Sequence, residues 1–162
     1  MPPDPEIFAL AQQVGERLRR QGRSLAVAES CTGGLLGAAV TDVPGSSAYF
    51  LGGVISYADR VKLEQLRVPD ATLLQYGAVS EQTAAAMASG IRQLLHADIG
   101  VSITGVSGPE AEGSKPVGLT FIGVAGGTAT TTQRFQWTSD RWENRRRSVI
   151  AALELLVRAL ER

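Results

Sequence analysis

Few side chains in this sequence have the chemistry of a nucleophile or of a base that could serve one. The segment Glu29-Ser30-Cys31-Thr32-Gly33-Gly34 offers two nucleophiles, the Ser30 hydroxyl and the Cys31 thiol. A serine needs a base to take its proton. The chain has one histidine, His96, beside Leu94-Leu95 at the end of a helical stretch, where it reads most simply as a helix C-terminal residue facing the dipole. Two lysines complete the short list of bases, Lys62 and Lys115. A lysine becomes a general base when burial or a neighbouring cation lowers its pKa. Lys62 lies five residues after Tyr57, on the segment leaving a strand, and Lys115 sits in a glycine-rich loop. The plain alternative for Lys62 is a solvated helix lysine paired with Asp59 or Glu64. Cys31 is the rival nucleophile: a helix start favours its thiolate, although cysteine is also among the most buried residue types.

Two further segments suit an anion. A strand, tight turn and helix start over residues 29–34 would expose Ser30 and aim backbone N–H groups of Thr32, Gly33 and Gly34 at one point, as a phosphate or an oxyanion requires. The alternative is an ordinary turn in which Ser30 or Thr32 caps the helix. The last helix opens Asp140-Arg141-Trp142-Glu143-Asn144-Arg145, and arginines in a first turn oppose the helix dipole. Arg141 and Arg145 share a face and suit a phosphate monoester, or else form a solvated face with Glu143 as partner. The loop from Thr104 through Gly105 to Pro116 is rich in glycine, which lets backbone approach a ligand closely. Its acids, Glu110 and Glu112, make no convincing metal site with a single distant histidine.

The elements that must position these residues follow from hydrophobic spacing. Residues 5–21 read as a helix with Ile7, Leu10, Ala11, Val14 and Leu18 on one face, capped by Asp4 and closed by Gly22. Residues 24–29 read as a buried strand and 35–42 as a small-residue helix. A second strand is placed at 53–57, and a short helix at 59–66. A helical stretch at 70–76 ends at Gly77, and a Ser80-capped helix carries Ala84, Met87, Ala88, Ile91 and Leu95 on its buried side. Strands follow at 99–104, 117–125 and 130–137, the last two joined through Gly126-Gly127. Asp140 caps a last helix to about residue 160, with Glu143 as its capping-box partner and Trp142, Val149, Leu153, Leu156 and Leu160 as its apolar stripe. The order αβαβααβββα predicts a three-layer α/β/α sandwich around a mixed, mainly parallel sheet of about five strands. In such sheets ligands bind at the carboxyl ends of strands, where the loops carrying Ser30, Lys62 and Gly105 all lie.

Composition narrows the setting. The chain has 162 residues, 44% of them hydrophobic, and sixteen basic residues balance sixteen acidic ones. That fits one domain over residues 1–162. Neutral charge argues against nucleic acid or a membrane surface as partner. One cysteine excludes an internal disulfide, and one histidine argues against a zinc site of the usual type, so no metal is expected. No secretory leader or membrane span is legible, and a cytoplasmic protein is expected.

Taken together, the motifs resemble a known family. AESCTGG at 28–34, GGVISY leading to Lys62, ITGVSGP at 103–109, KPVG at 115–118 and DRWENR at 140–145 are similar, in order, to the CinA C-terminal domain family. The resemblance covers about residues 5–160. Ser107 stands where alanine is usual and Ser139 where glycine often precedes the Asp-Arg pair. Characterised members are nicotinamide mononucleotide amidohydrolases. The resemblance therefore implies hydrolysis of nicotinamide mononucleotide to nicotinate mononucleotide and ammonia, without a cofactor. It implies a Ser–Lys mechanism with Ser30 as nucleophile, Lys62 as base and Tyr57 as helper. Thr104 and Gly105 match the substrate-side turn, and Arg141 and Arg145 the two late arginines. Thr32, Gly33 and Gly34 are expected at the substrate, Tyr49 and Phe50 are candidates to stack on its ring, and a homodimer is expected. The rival reading is a non-catalytic nucleotide-binding or competence/damage-related partner module.

Overall fold

The computed structural model describes residues 1–161. The chain runs α1 (Pro5–Gln21), β1 (Leu25–Glu29), α2 (Leu35–Thr41), a 3₁₀ turn (Ser46–Ala48), β2 (Phe50–Ile55), α3 (Asp59–Glu64), α4 (Asp70–Tyr76), α5 (Glu81–Leu94), β3 (Ile99–Gly105), β4 (Leu119–Gly126), β5 (Ala129–Gln136) and α6 (Arg141–Ala159). The strands form one sheet in the order β2-β1-β3-β4-β5. β1 pairs in parallel with both β2 and β3, while β4 is antiparallel to β3 and to β5. Only β4 is thus reversed.

Alternation along the strands divides the molecule into layers. Leu25 and Val27 face one side with Ile99, Val101 and Ile103, and there meet Leu18 of α1, Leu36 of α2 and Leu153 of α6. Ala26 and Ala28 face the other side, with Met87 and Ile91 of α5 and Leu66 and Val68 beyond α3. The second face is built from small residues, so α5 lies almost on the backbone of the sheet. A Cβ at Gly100 would stand 2.3 Å from the Ala88 carbonyl oxygen. Ser102 uses the same proximity to donate to the Ala84 carbonyl at 2.6 Å.

The caps read from the sequence form at both ends of α1: Asp4 accepts from the amides of Glu6 and Ile7, and Gly22 adopts φ 61°. Asp140 accepts from the Glu143 amide, but Glu143 turns its own carboxylate to Arg146 and Arg147 rather than back to the cap. Three helices, α3 to α5, separate β2 from β3.

Several expectations fail. β2 spans Phe50–Ile55 rather than 53–57, because Gly52 and Gly53 hide a strand that is defined by pairing with β1. Tyr49 is buried, and with Phe50 it lies at the amino end of β2, away from the strand ends that carry the site. Trp142 is 73% exposed and takes no part in the α6 stripe, since the first turn of α6 turns Asn144 inward instead. No helix among the described residues is long and apolar enough to cross a membrane.

Candidate active site

Three chain segments meet at the carboxyl ends of β1, β2 and β3. The first is the turn after β1, which is made tight by two consecutive left-handed glycines, Gly33 at φ 59° and Gly34 at φ 103°. Side chains rarely adopt that backbone region. The Ser30 amide extends the sheet by donating to the Ile103 carbonyl at 2.9 Å, which fixes the residue as β1 ends. Ser30 is not exposed as the turn signature suggested. At 9% exposure it forms the floor of a cavity of about 300 Å³, lined also by Cys31, Tyr57, Gly105 to Gly108, Glu110, Glu112 and Arg141.

The second segment leaves β2. Ser56 donates its amide to the Glu29 carbonyl, and one turn of α3 then delivers Lys62 inward. The Lys62 side chain is 1% exposed, and its Nζ lies 3.0 Å from Ser30 Oγ, 2.6 Å from the Ser56 carbonyl and 3.3 Å from the Tyr57 carbonyl. Burial lowers its pKa from 10.5, against the opposing charges of Asp59 and Glu112. A neutral amine has two N–H donors and one lone pair. With the donors on the two carbonyls, the lone pair is left for the Ser30 hydroxyl. Cys31 beside it is buried and its pKa is pushed up to about 11, chiefly by loss of water, so it is a thiol at neutral pH.

The second and third amides of α2 are taken by the protein's own carboxylate. Glu29, buried under the turn, accepts from Thr32 Oγ1 at 2.7 Å, the Leu36 amide at 2.8 Å and the Gly37 amide at 3.0 Å. The Gly33 amide bonds the Ser30 carbonyl and the Leu35 amide bonds that of Thr32. The amides of Cys31, Thr32 and Gly34 have no protein acceptor among the described residues.

The third segment is the start of α6. Arg145 donates through Nε to the Cys31 carbonyl at 3.1 Å and through Nη2 to the Thr32 carbonyl at 3.0 Å. Arg141 donates to the Gly108 carbonyl and to the Tyr57 hydroxyl. Tyr57 is 61% exposed, at the cavity mouth. Asn144 is buried and holds the Ser107 and Ser139 carbonyls through its amide nitrogen.

The structure thus brings Ser30, Tyr57, Gly105 and Arg141 to one cavity, with Lys62 held on Ser30 Oγ and Arg145 behind the turn. Thr32 and Thr104 are buried, and Thr104 donates to the Ala78 carbonyl. Gly33 and Gly34 shape the turn. His96 lies exposed beyond α5, before β3 begins, and Lys115 lines a separate hollow with Tyr76 and Arg134. Sequence reasoning missed Glu29 as the internal cap and Asn144 as a brace. The only available signal was a carboxylate ending a wholly apolar strand. No group of three metal-binding side chains occurs among the described residues.

Comparison with known proteins agrees with this architecture. The chain is 48% identical over 155 residues to a protein of Halothermothrix orenii named as competence-damage inducible, covering 94% of this chain and 38% of that protein. It is 48% identical over 154 residues to a CinA-like protein of Acaryochloris marina, covering 93% of this chain and 37% of that one. The chain therefore spans less than two fifths of the length of these relatives. The crystal structure of competence/damage inducible protein CihA from Agrobacterium tumefaciens superposes with a TM-score of 0.93 at 34% identity, covering 98% of both chains. Residues 7–160 match the family described as the CinA C-terminal domain, and the chain belongs to that family.

Proposed function

We propose that this chain hydrolyses the carboxamide of nicotinamide mononucleotide, giving nicotinate mononucleotide and ammonia. The observation that carries this reading is a lysine amine buried almost completely and held 3.0 Å from a serine hydroxyl on the floor of a cavity. Burial makes the neutral amine accessible, and the Ser56 and Tyr57 carbonyls fix its direction.

In this reading, neutral Lys62 takes the Ser30 proton as Oγ attacks the carboxamide carbon. The C=O bond opens to an oxyanion, which is taken by the free amide of Cys31 on the cavity wall. The pyridinium ring withdraws electrons and eases the attack. Protonated Lys62 then gives its proton to the amide nitrogen, the C–N bond breaks and ammonia leaves. Water adds to the acyl-Ser30 ester with Lys62 again as base, releasing the carboxylate and restoring the hydroxyl. Tyr57 serves through its carbonyl on Lys62 and through its phenol on Arg141, and Arg141 meets the phosphate. No cofactor takes part. A homodimer belongs to the same reading and is checked by sedimentation equilibrium.

The test is ammonia release by purified protein. Ser30→Ala and Lys62→Met each lower kcat by about 10³-fold or more. Full activity in either variant removes that residue from the mechanism. The sign of the pH dependence follows from the lowered pKa of Lys62. The protonated amine cannot act as base, so kcat/KM falls as pH drops through that pKa. The half-point lies below 10.5. A plateau reached only above pH 10.5 would rule out a buried amine as the base. Equal turnover of the riboside would exclude a phosphate role for Arg141.

A further inference from the structure

The cavity that Ser30 lines is unusually charged for a site that handles an uncharged amide. Glu110 and Glu112 both line the cavity, and neither has an ion-pair partner among the described residues. Glu112 is close enough for its charge to be felt at Lys62. Arg141 lines the same cavity, also without an acidic partner, and spends its donors on the Gly108 carbonyl and the Tyr57 hydroxyl. The cavity therefore holds unpaired charge of both signs.

A second, independent observation lies on the same loop. Ser107 is 8% exposed and lines the cavity, and its hydroxyl hydrogen-bonds the Cys31 thiol beside it. Its backbone is held from behind by Asn144, which donates to the Ser107 carbonyl at 3.0 Å. A thiol is a weak hydrogen-bond partner, so this nearly buried hydroxyl keeps capacity to meet a polar group of a ligand at the cavity wall. The loop carrying it is braced from α6 rather than free.

We propose that residues 107–112 form the specificity wall of the site, where Glu110 and Glu112 select carboxamides carried on a cationic ring and Ser107 hydrogen-bonds the carboxamide. This rests on the amidohydrolase reading above and adds to it the charge that the substrate ring must carry. Arg141, which lines the same cavity, then takes the anionic end, so the ligand is read as a zwitterion. A neutral ring of the same shape loses the attraction of both carboxylates while keeping every other contact. The carboxylates are exposed, so their field is screened by water and salt and gives discrimination rather than tight binding.

The experiment compares two ligands that differ in ring charge, nicotinamide mononucleotide and its neutral ring-reduced form, by calorimetry on Ser30→Ala protein, which cannot turn over. The cationic ligand is expected to bind about 10-fold tighter than the neutral one at low salt. Glu110→Gln with Glu112→Gln abolishes that preference by weakening only the cationic ligand, and raising the salt concentration narrows it in protein that keeps both glutamates while also weakening the phosphate contact that the two ligands share. Ser107→Ala weakens both ligands alike by about 5-fold, the loss of one hydrogen bond. Equal binding of the two ligands with both glutamates present overturns the proposal, as does equal weakening of both by the glutamine pair. Failure to bind either ligand overturns it together with the amidohydrolase reading. Failure of unmodified protein to release ammonia, with charge selection intact, overturns the amidohydrolase reading alone.

Discussion

Two helix N-termini face the same cavity region and meet their electrostatics in opposite ways. At α2 the positive end of the helix is closed from within, because Glu29 accepts from the Leu36 and Gly37 amides and from the Thr32 hydroxyl. At α6 the end is capped by Asp140, yet two arginines stand in the first turns, against the dipole. From sequence, both ends looked like places for a ligand anion. In the structure, the first is satisfied by the protein's own carboxylate. The second serves to project guanidinium groups onto backbone carbonyls of Cys31, Thr32 and Gly108. Arg145, which does not line the cavity, shows that an arginine opposing a dipole need not signal a bound anion. Carbonyl oxygens left over by tight turns supply the same partial negative charge.

The two ends are also connected. A trans peptide points its C=O and N–H in opposite directions. The grip of Arg145 on the Cys31 and Thr32 carbonyls therefore fixes the Thr32 and Gly33 amides on the far side of the turn. Glu29 holds the turn from below and Arg145 from outside, and Ser30 sits between them. The largest effect is expected from removing the lower hold. Glu29→Ala strands two buried or half-buried amides and a buried hydroxyl, and costs about 3 kcal/mol. That corresponds to a fall in Tm of about 6–12 °C by calorimetry, with loss of activity alongside. A stable but inactive Glu29→Ala protein would overturn the structural role and bring the carboxylate into the chemistry.

The outer hold is tested by kinetics rather than melting. Arg145→Lys keeps the charge but loses the two-pronged geometry that meets two carbonyls at 3.1 and 3.0 Å. If Arg145 positions the nucleophile turn, kcat falls about 100-fold with KM little changed, because small misplacements at the reacting centre are costly. If it binds phosphate instead, KM rises for the mononucleotide and not for the riboside, while kcat holds. The second outcome would erase the distinction between the two helix ends.

Much of this arrangement was legible in sequence, and the failures share a cause. Asp4, Gly22, Ser80 and Asp140 act within a few residues of themselves, so they announced the helices correctly. The scarcity of bases pointed to Lys62 because His96 and Lys115 are the only rivals, and the fold sends both elsewhere. What stayed hidden depends on partners far along the chain. Phe50 and Leu51 become strand only by pairing with β1 across a glycine pair. Arg145 finds its carbonyls more than a hundred residues away. Glu29 looked like the last residue of a strand, since nothing in a linear reading shows that its carboxylate turns under the helix seven residues on.

The smallest expected effect lies at the α6 end and concerns Trp142. Helical spacing placed this side chain on the apolar stripe with Val149 and Leu153, but the structure leaves it 73% exposed while those two are buried. An aromatic residue in solvent contributes little to the fold, so Trp142→Ala changes stability by no more than about 0.5 kcal/mol in denaturant melts. The measurement sharpens the comparison when it is made at two protein concentrations. A side chain that touches nothing gives the same small change at both. A loss that grows with protein concentration would mean that a second copy covers Trp142, since association stabilises by mass action. In that case the first turn of α6 would carry two duties, with Arg141 turned to the cavity and Trp142 to a neighbouring subunit, and the α2 end, sealed by Glu29, would have no counterpart to the second.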